Sequence, residues 1–103
     1  MKYICKIILF KYEEGNQFYE ACGRHNPTFQ GYRTHITIMP NSKLEPELLG
    51  VQFNTDMVFG LNPRVEIEPL FEGVDYSSLT KDQSFCIVEG RRQVGVGVVL
   101  ELN

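Results

Sequence analysis

The chain has 103 residues, 43% of them apolar and 22% charged, with a formal net charge of −3. That is room for one core and one domain, 1–103, and the balance excludes a disordered chain. An acidic protein gains nothing from bulk attraction to nucleic acid, so any RNA contact has to come from a local basic patch.

Residues 2–12 alternate, with Tyr3, Cys5, Ile7 and Leu9 on one face and Ile4, Lys6, Ile8 and Phe10 on the other. This predicts a first strand. A solvated outer face would be polar, so Ile4, Ile8 and Phe10 call for cover by a strand, a loop or a partner and form a candidate protein interface. The apolar run 7–10 lies between Lys6 and Lys11, far short of the ~20 residues that span a bilayer. The opening residues build no signal peptide, and the expectation is a cytoplasmic protein without a membrane anchor.

From Glu13 to Gly31 the breakers Gly15, Gly23, Pro27 and Gly31 mark a long loop with a helical turn around Gln17 to Cys22. Loops of this length usually carry function. Residues 32–39 alternate as a second strand, stopped by Pro40; residues 40–50 read as a turn with a short helical turn at Glu45–Leu49. Further strands are expected at Met57–Phe59, Arg64–Leu70, Ser84–Glu89 and Gln93–Leu102. Residues 60–63, a polar stretch 72–83 and the turn 89–92 separate them. Five or six strands and no long amphipathic helix make an all-β sandwich or barrel. In the last strand Val94, Val96, Val98, Leu100 and Leu102 share one face, with Gly95 and Gly97 on the other. Paired glycines inside a strand predict a barrel corner or another backbone in close approach.

The motifs give little chemistry. Gly95-Val96-Gly97 continues inside a strand and lacks the third glycine of a dinucleotide site, and no phosphate-loop motif is present, so no nucleotide or other cofactor is expected. Cys5, Cys22 and Cys86 form no Cys-x-x-Cys pair, which points to reduced thiols. Cys22 and His25 alone do not make a metal site, and no orienting acid marks either as catalytic, so no enzyme is expected. Arg24, His25, Arg33, Arg91 and Arg92 lie in two turns that would form a small basic patch if the fold joins them, or remain solvated loop charges paired with Glu13, Glu14 or Glu89.

Gly23-Arg24-His25-Asn26-Pro27-Thr28-Phe29-Gln30-Gly31-Tyr32-Arg33 resembles the Gly-Arg-His-Thr-Pro-Phe-Phe-x-Gly-Tyr-Arg signature of the third domain of translation elongation factor Tu. The segment from Phe85 to Val99, with Glu89-Gly90-Arg91-Arg92 and Val94-Gly95-Val96-Gly97-Val98-Val99, looks like that domain's closing Phe-Ala-Ile-Arg-Glu-Gly-Gly-Arg-Thr-Val-Gly-Ala-Gly-Val-Val. Weaker likeness covers Lys2–Gly15, Met57-Val58 and Arg64–Leu70. The resemblance implies a small six-stranded antiparallel β-barrel.

It also implies a non-catalytic binding module without GTPase activity of its own, engaging tRNA-like RNA or another translation component. The tRNA-approaching positions of the family carry over to Arg24, His25, Arg33, Glu89 and Gly90. The sequence departs from the family at His35, at Arg91 in place of a glycine, at Glu72 in place of a basic or imidazole residue, and in an insertion at Asn16–Cys22. The alternative is a protein-interaction module: a homo-oligomer, or a decoy for a protein that normally recognises elongation factor Tu, docking through Ile4, Ile8 and Phe10.

Overall fold

The computed structural model describes residues 1–38 and 47–103. Among these, six strands close into an antiparallel barrel in the order β1-β4-β3-β2-β5-β6. They are β1 (Tyr3–Leu9), β2 (Tyr32–Ile38), β3 (Leu49–Phe53), β4 (Gly60–Pro69), β5 (Ser84–Glu89) and β6 (Arg92–Leu102). Closure removes the unpaired edges that an open sheet of this size would present. Alternation then fills the interior: Cys5, Ile7 and Leu9 from β1 meet Ile36, Val51, Phe53, Val65, Ile67, Phe85, Ile87, Val94 and Val99 from the other five strands in one buried cluster.

Strands β1, β2, β5 and β6 lie where the sequence pattern puts them, with Met39 and the expected stop at Pro40 outside the described residues, but β3 and β4 correct it. Of the helical turn expected at Glu45–Leu49, Glu45 and Pro46 lie outside the described residues, and Leu49 opens β3. Gly50 obscures that strand because a glycine weakens strand character. Its role is steric: a Cβ at Gly50 would stand 2.3 Å from the Phe71 ring. Met57–Phe59 is not a strand; Met57 makes only an isolated bridge to Thr28.

Residues 60–63, expected as a separator, begin β4 instead. Pro63 is tolerated there because the register shifts between Cys5 and Ile7, which face Val65 and Asn62, so Pro63 and Arg64 together oppose Lys6. A bulge is where a strand accepts proline.

Bulges also break the single face expected along β6. Residue 94 is the extra residue opposite the Ile87/Val88 step, and residue 100 opposite Ile4/Cys5. Val94 and Val99 are therefore buried, while Val96 and Val98 border a groove on the outer wall. Gly95 answers another backbone in close approach, one of the two readings of the pairing, whereas Gly97 makes room for a side chain. A Cβ on Gly95 would meet the Ile8 carbonyl oxygen at 2.6 Å, and one on Gly97 the Phe85 ring at 2.5 Å.

One end of the barrel is closed from the 70–83 segment, where Tyr76 and Leu79 enter the core and the Tyr76 hydroxyl donates to the Gly50 carbonyl at 2.6 Å. At the other end a short helix α1 (Gln17–Ala21) forms within the long loop, capped by Asn16, whose Oδ1 accepts from the Phe18 and Tyr19 N–H groups. Phe18 and Tyr19 meet the Phe10 ring edge-on at 5.6 and 5.9 Å.

The candidate interface Ile4, Ile8 and Phe10 thus divides. Ile4 is buried, Phe10 is covered by the chain's own α1, and Ile8 remains 44% exposed. Among the described residues no helix is long and apolar enough to cross a membrane.

Candidate binding site at the barrel rim

The excursion between β1 and β2 folds back on the mouth of the barrel, beside the β5–β6 hairpin. Arg24 N–H donates to the Phe10 carbonyl at 3.0 Å, and Tyr12 N–H to the Arg24 carbonyl at 2.8 Å, so residues 10–12 and 24 pair as a short parallel bridge. Gly23 makes that approach: its φ is +92°, and a Cβ would lie 2.9 Å from the Lys11 carbonyl carbon and the Tyr12 nitrogen. Only glycine meets both demands without strain. Gly90, with φ +61°, takes the first central position of the two-residue turn that joins Glu89 to Arg92, where a type II′ hairpin favours glycine.

The two segments that carry the resemblance meet here. Arg24 Nη1 donates to Glu89 Oε2, and the Tyr32 hydroxyl donates to the same oxygen. The Arg24 guanidinium lies 4.9 Å over the Tyr32 ring, and its Nε donates to the Asn26 carbonyl at 3.0 Å. Burial pushes the Tyr32 phenol up, against the pull of Arg24, so it stays protonated as the donor to Glu89. The Arg24 and Glu89 side chains are 22% and 32% exposed. Their charges are spent on each other.

Arg92 is committed as well. Its Nε donates to the Gly23 carbonyl at 2.7 Å and its Nη2 to the Glu20 and Cys22 carbonyls at 2.9 and 3.4 Å. It ties down the end of α1, whose last carbonyls lack intrahelical partners. Arg92 thus acts as a fastener, a use that neither reading of the loop cations, basic patch or solvated charge, gives it.

His25 is exposed and stacks on the Tyr12 ring at 4.2 Å, with the Arg92 guanidinium 5.8 Å from that ring. Arg33 is not part of the cluster. It points outward from β2, where its Nε donates to Gln52 Oε1 at 2.8 Å on the neighbouring strand. Arg91, at the tip of the hairpin, is exposed.

Of the five site residues named from sequence, Arg24 and Glu89 touch, Gly90 forms the adjoining turn, His25 flanks them on Tyr12, and Arg33 stands on the wall nearby. Tyr12 and Arg92 are contributors that periodicity does not reveal, since their partners are a ring and carbonyls distant in sequence. Cys5, Cys22 and Cys86 are not in disulfides. Among the described residues no three His, Cys, Asp or Glu side chains are arranged to hold a metal ion. No protein-family model matches the chain.

Proposed function

We propose that the chain is a non-catalytic binding module of the kind found as the third domain of elongation factor Tu, and that its rim engages tRNA-like RNA or a translation component. The observation that carries this reading is the convergence of residues 23–33 and 85–99 at one rim. Arg24, Glu89 and Tyr32 lock the two segments together there. Among the residues singled out from sequence, that lock leaves His25, Arg33 and Arg91 exposed and able to face phosphates, while Arg24 holds the surface in shape. Three such groups on a protein of charge −3 give weak, salt-sensitive binding, because affinity scales with the number of phosphates neutralised.

The test is filter binding of the purified chain to bulk tRNA at low and moderate salt. Binding should fall steeply with salt and drop by about tenfold or more in an Arg33→Glu/Arg91→Glu variant. Both substitutions are on exposed side chains, so the barrel should survive them. Absence of binding at low salt, or binding indifferent to the double substitution, would overturn RNA as the rim's ligand.

A further inference from the structure

We propose that the outer wall of the barrel at β4, β1 and β6 is a docking face for a second copy of this chain, related to the first by a two-fold axis near Ile8. The proposal does not depend on the rim engaging RNA.

The centre of this face is an apolar row. Ile8 pairs with Leu61 on one neighbouring strand and with Val96 on the other, and Leu61 and Ile8 are 56% and 44% exposed. Beside the row a groove of about 260 Å³ is lined by Lys6, Ile8, Ser84, Val96, Gly97 and Val98. The inward-turned Gly97 leaves bare backbone between the two valines. A solvated barrel wall normally presents polar residues at these positions, and an exposed contiguous apolar patch marks an interaction site.

The charges flanking the row select the occupant. A two-fold contact applies the same patch to itself, so each copy needs opposite charges on opposite sides of an apolar centre. Lys6 lines the groove on one side of Ile8. Glu13 borders the depression on the rim side, also lined by Ile8. Both are exposed, and neither is in an ion pair among the described residues.

Lys11, the cation on the rim side, lies instead 5.8 Å from the Phe59 ring. Rotation about an axis at Ile8 sets Lys6 of each copy against Glu13 of the other.

The test is sedimentation velocity of the full chain over about 1–100 µM, the range expected for a modest interface. The wild type should shift from monomer to dimer with concentration. Lys6→Glu and Glu13→Lys should each weaken the dimer by about tenfold or more through like-charge contacts, and the double variant should restore it. Ile8→Asp should remain monomeric while keeping the wild-type circular dichroism spectrum. A wild type that is monomeric throughout, single variants that dimerise normally, or a double variant that fails to restore association would overturn the proposal. The charge swap also separates this face from a different homodimer surface, which it would not affect.

Discussion

The carboxylate of Glu89 accepts the guanidinium of Arg24, 65 residues away in sequence, and the Tyr32 hydroxyl on the same oxygen. One acid thereby joins the β1–β2 excursion, the start of β2 and the β5–β6 hairpin. Glu89→Gln keeps the shape and removes the charge. It should cost about 1–3 kcal/mol, the range for losing a partly buried hydrogen-bonded pair, read as a lower urea midpoint with an unchanged slope. The double variant with Arg24→Ala should cost less than the sum of the two single changes, because the partners share one interaction.

Gly97 and Gly90 should respond differently to alanine. A Cβ on Gly97 would stand 2.5 Å from the buried Phe85 ring, whereas one on Gly90 meets nothing within 4 Å and pays only for its φ of +61°. We expect Gly97→Ala to cost about 2–3 kcal/mol by overpacking and Gly90→Ala about 1 kcal/mol. Phe85→Leu should recover part of the first loss and none of the second, as a double-mutant cycle in thermal unfolding would show.

The fold was legible where period-two alternation is uninterrupted, as in Tyr3–Leu9 and Ser84–Glu89. It failed where a local exception is paid for by a distant residue. Gly50 in β3 answers Phe71, and Pro63 in β4 sits in a bulge opposite Lys6. The candidate site was legible as a set of residue types, but their use was not. The pairing of Arg24 with Glu89 is one of the readings the sequence leaves open and the folded geometry selects it, whereas nothing in the sequence pattern marks Arg92 for three backbone carbonyls.

Alkali should destabilise the barrel through Cys5. Burial raises its thiol from the ordinary 9.0 to about 12, so between those values the unfolded chain loses this proton while the folded chain keeps it. Stability is thus full below pH 9 and falls as pH rises toward 12. By pH 11 the loss from this group is about 2–3 kcal/mol. Burial raises Tyr3 and Cys86 in the same direction. Urea unfolding at pH 7, 9 and 11 should show the decline, with a shallower slope in Cys5→Ala even though that variant starts less stable.

Asn62 is a buried polar residue whose three hydrogen bonds shape the entry to β4. Its Nδ2 donates to the Val58 and Gly60 carbonyls at 2.9 and 3.1 Å, and its Oδ1 accepts from Val58 N–H at 2.9 Å. Asn62→Leu would leave those backbone groups without partners and should cost about 2–4 kcal/mol. Asn62→Asp keeps the acceptor and loses both donors, placing a carboxylate against two carbonyls. It should be no better at neutral pH and should regain stability on acidification, as the protonated acid can donate again; an Asp variant insensitive to pH would show that the two donor bonds contribute little.

Arg92 should decide whether α1 stays docked. The helix is five residues long, too short to persist on its own, and its covering contacts are the Phe10 ring and the Arg92 hydrogen bonds to the carbonyls of Glu20, Cys22 and Gly23. Arg92→Gln removes that fork of donors but leaves the β5–β6 ladder in place. The barrel should remain folded by circular dichroism, while chymotrypsin cleavage at Phe18 and Tyr19 should accelerate by about tenfold, as local opening becomes cheaper by roughly 1–1.5 kcal/mol. Arg92→Lys should recover only part of the protection, because a single ammonium cannot reproduce the planar guanidinium's reach to three carbonyls. Cleavage unchanged in both variants would mean that the aromatic contacts to Phe10 suffice to hold the helix.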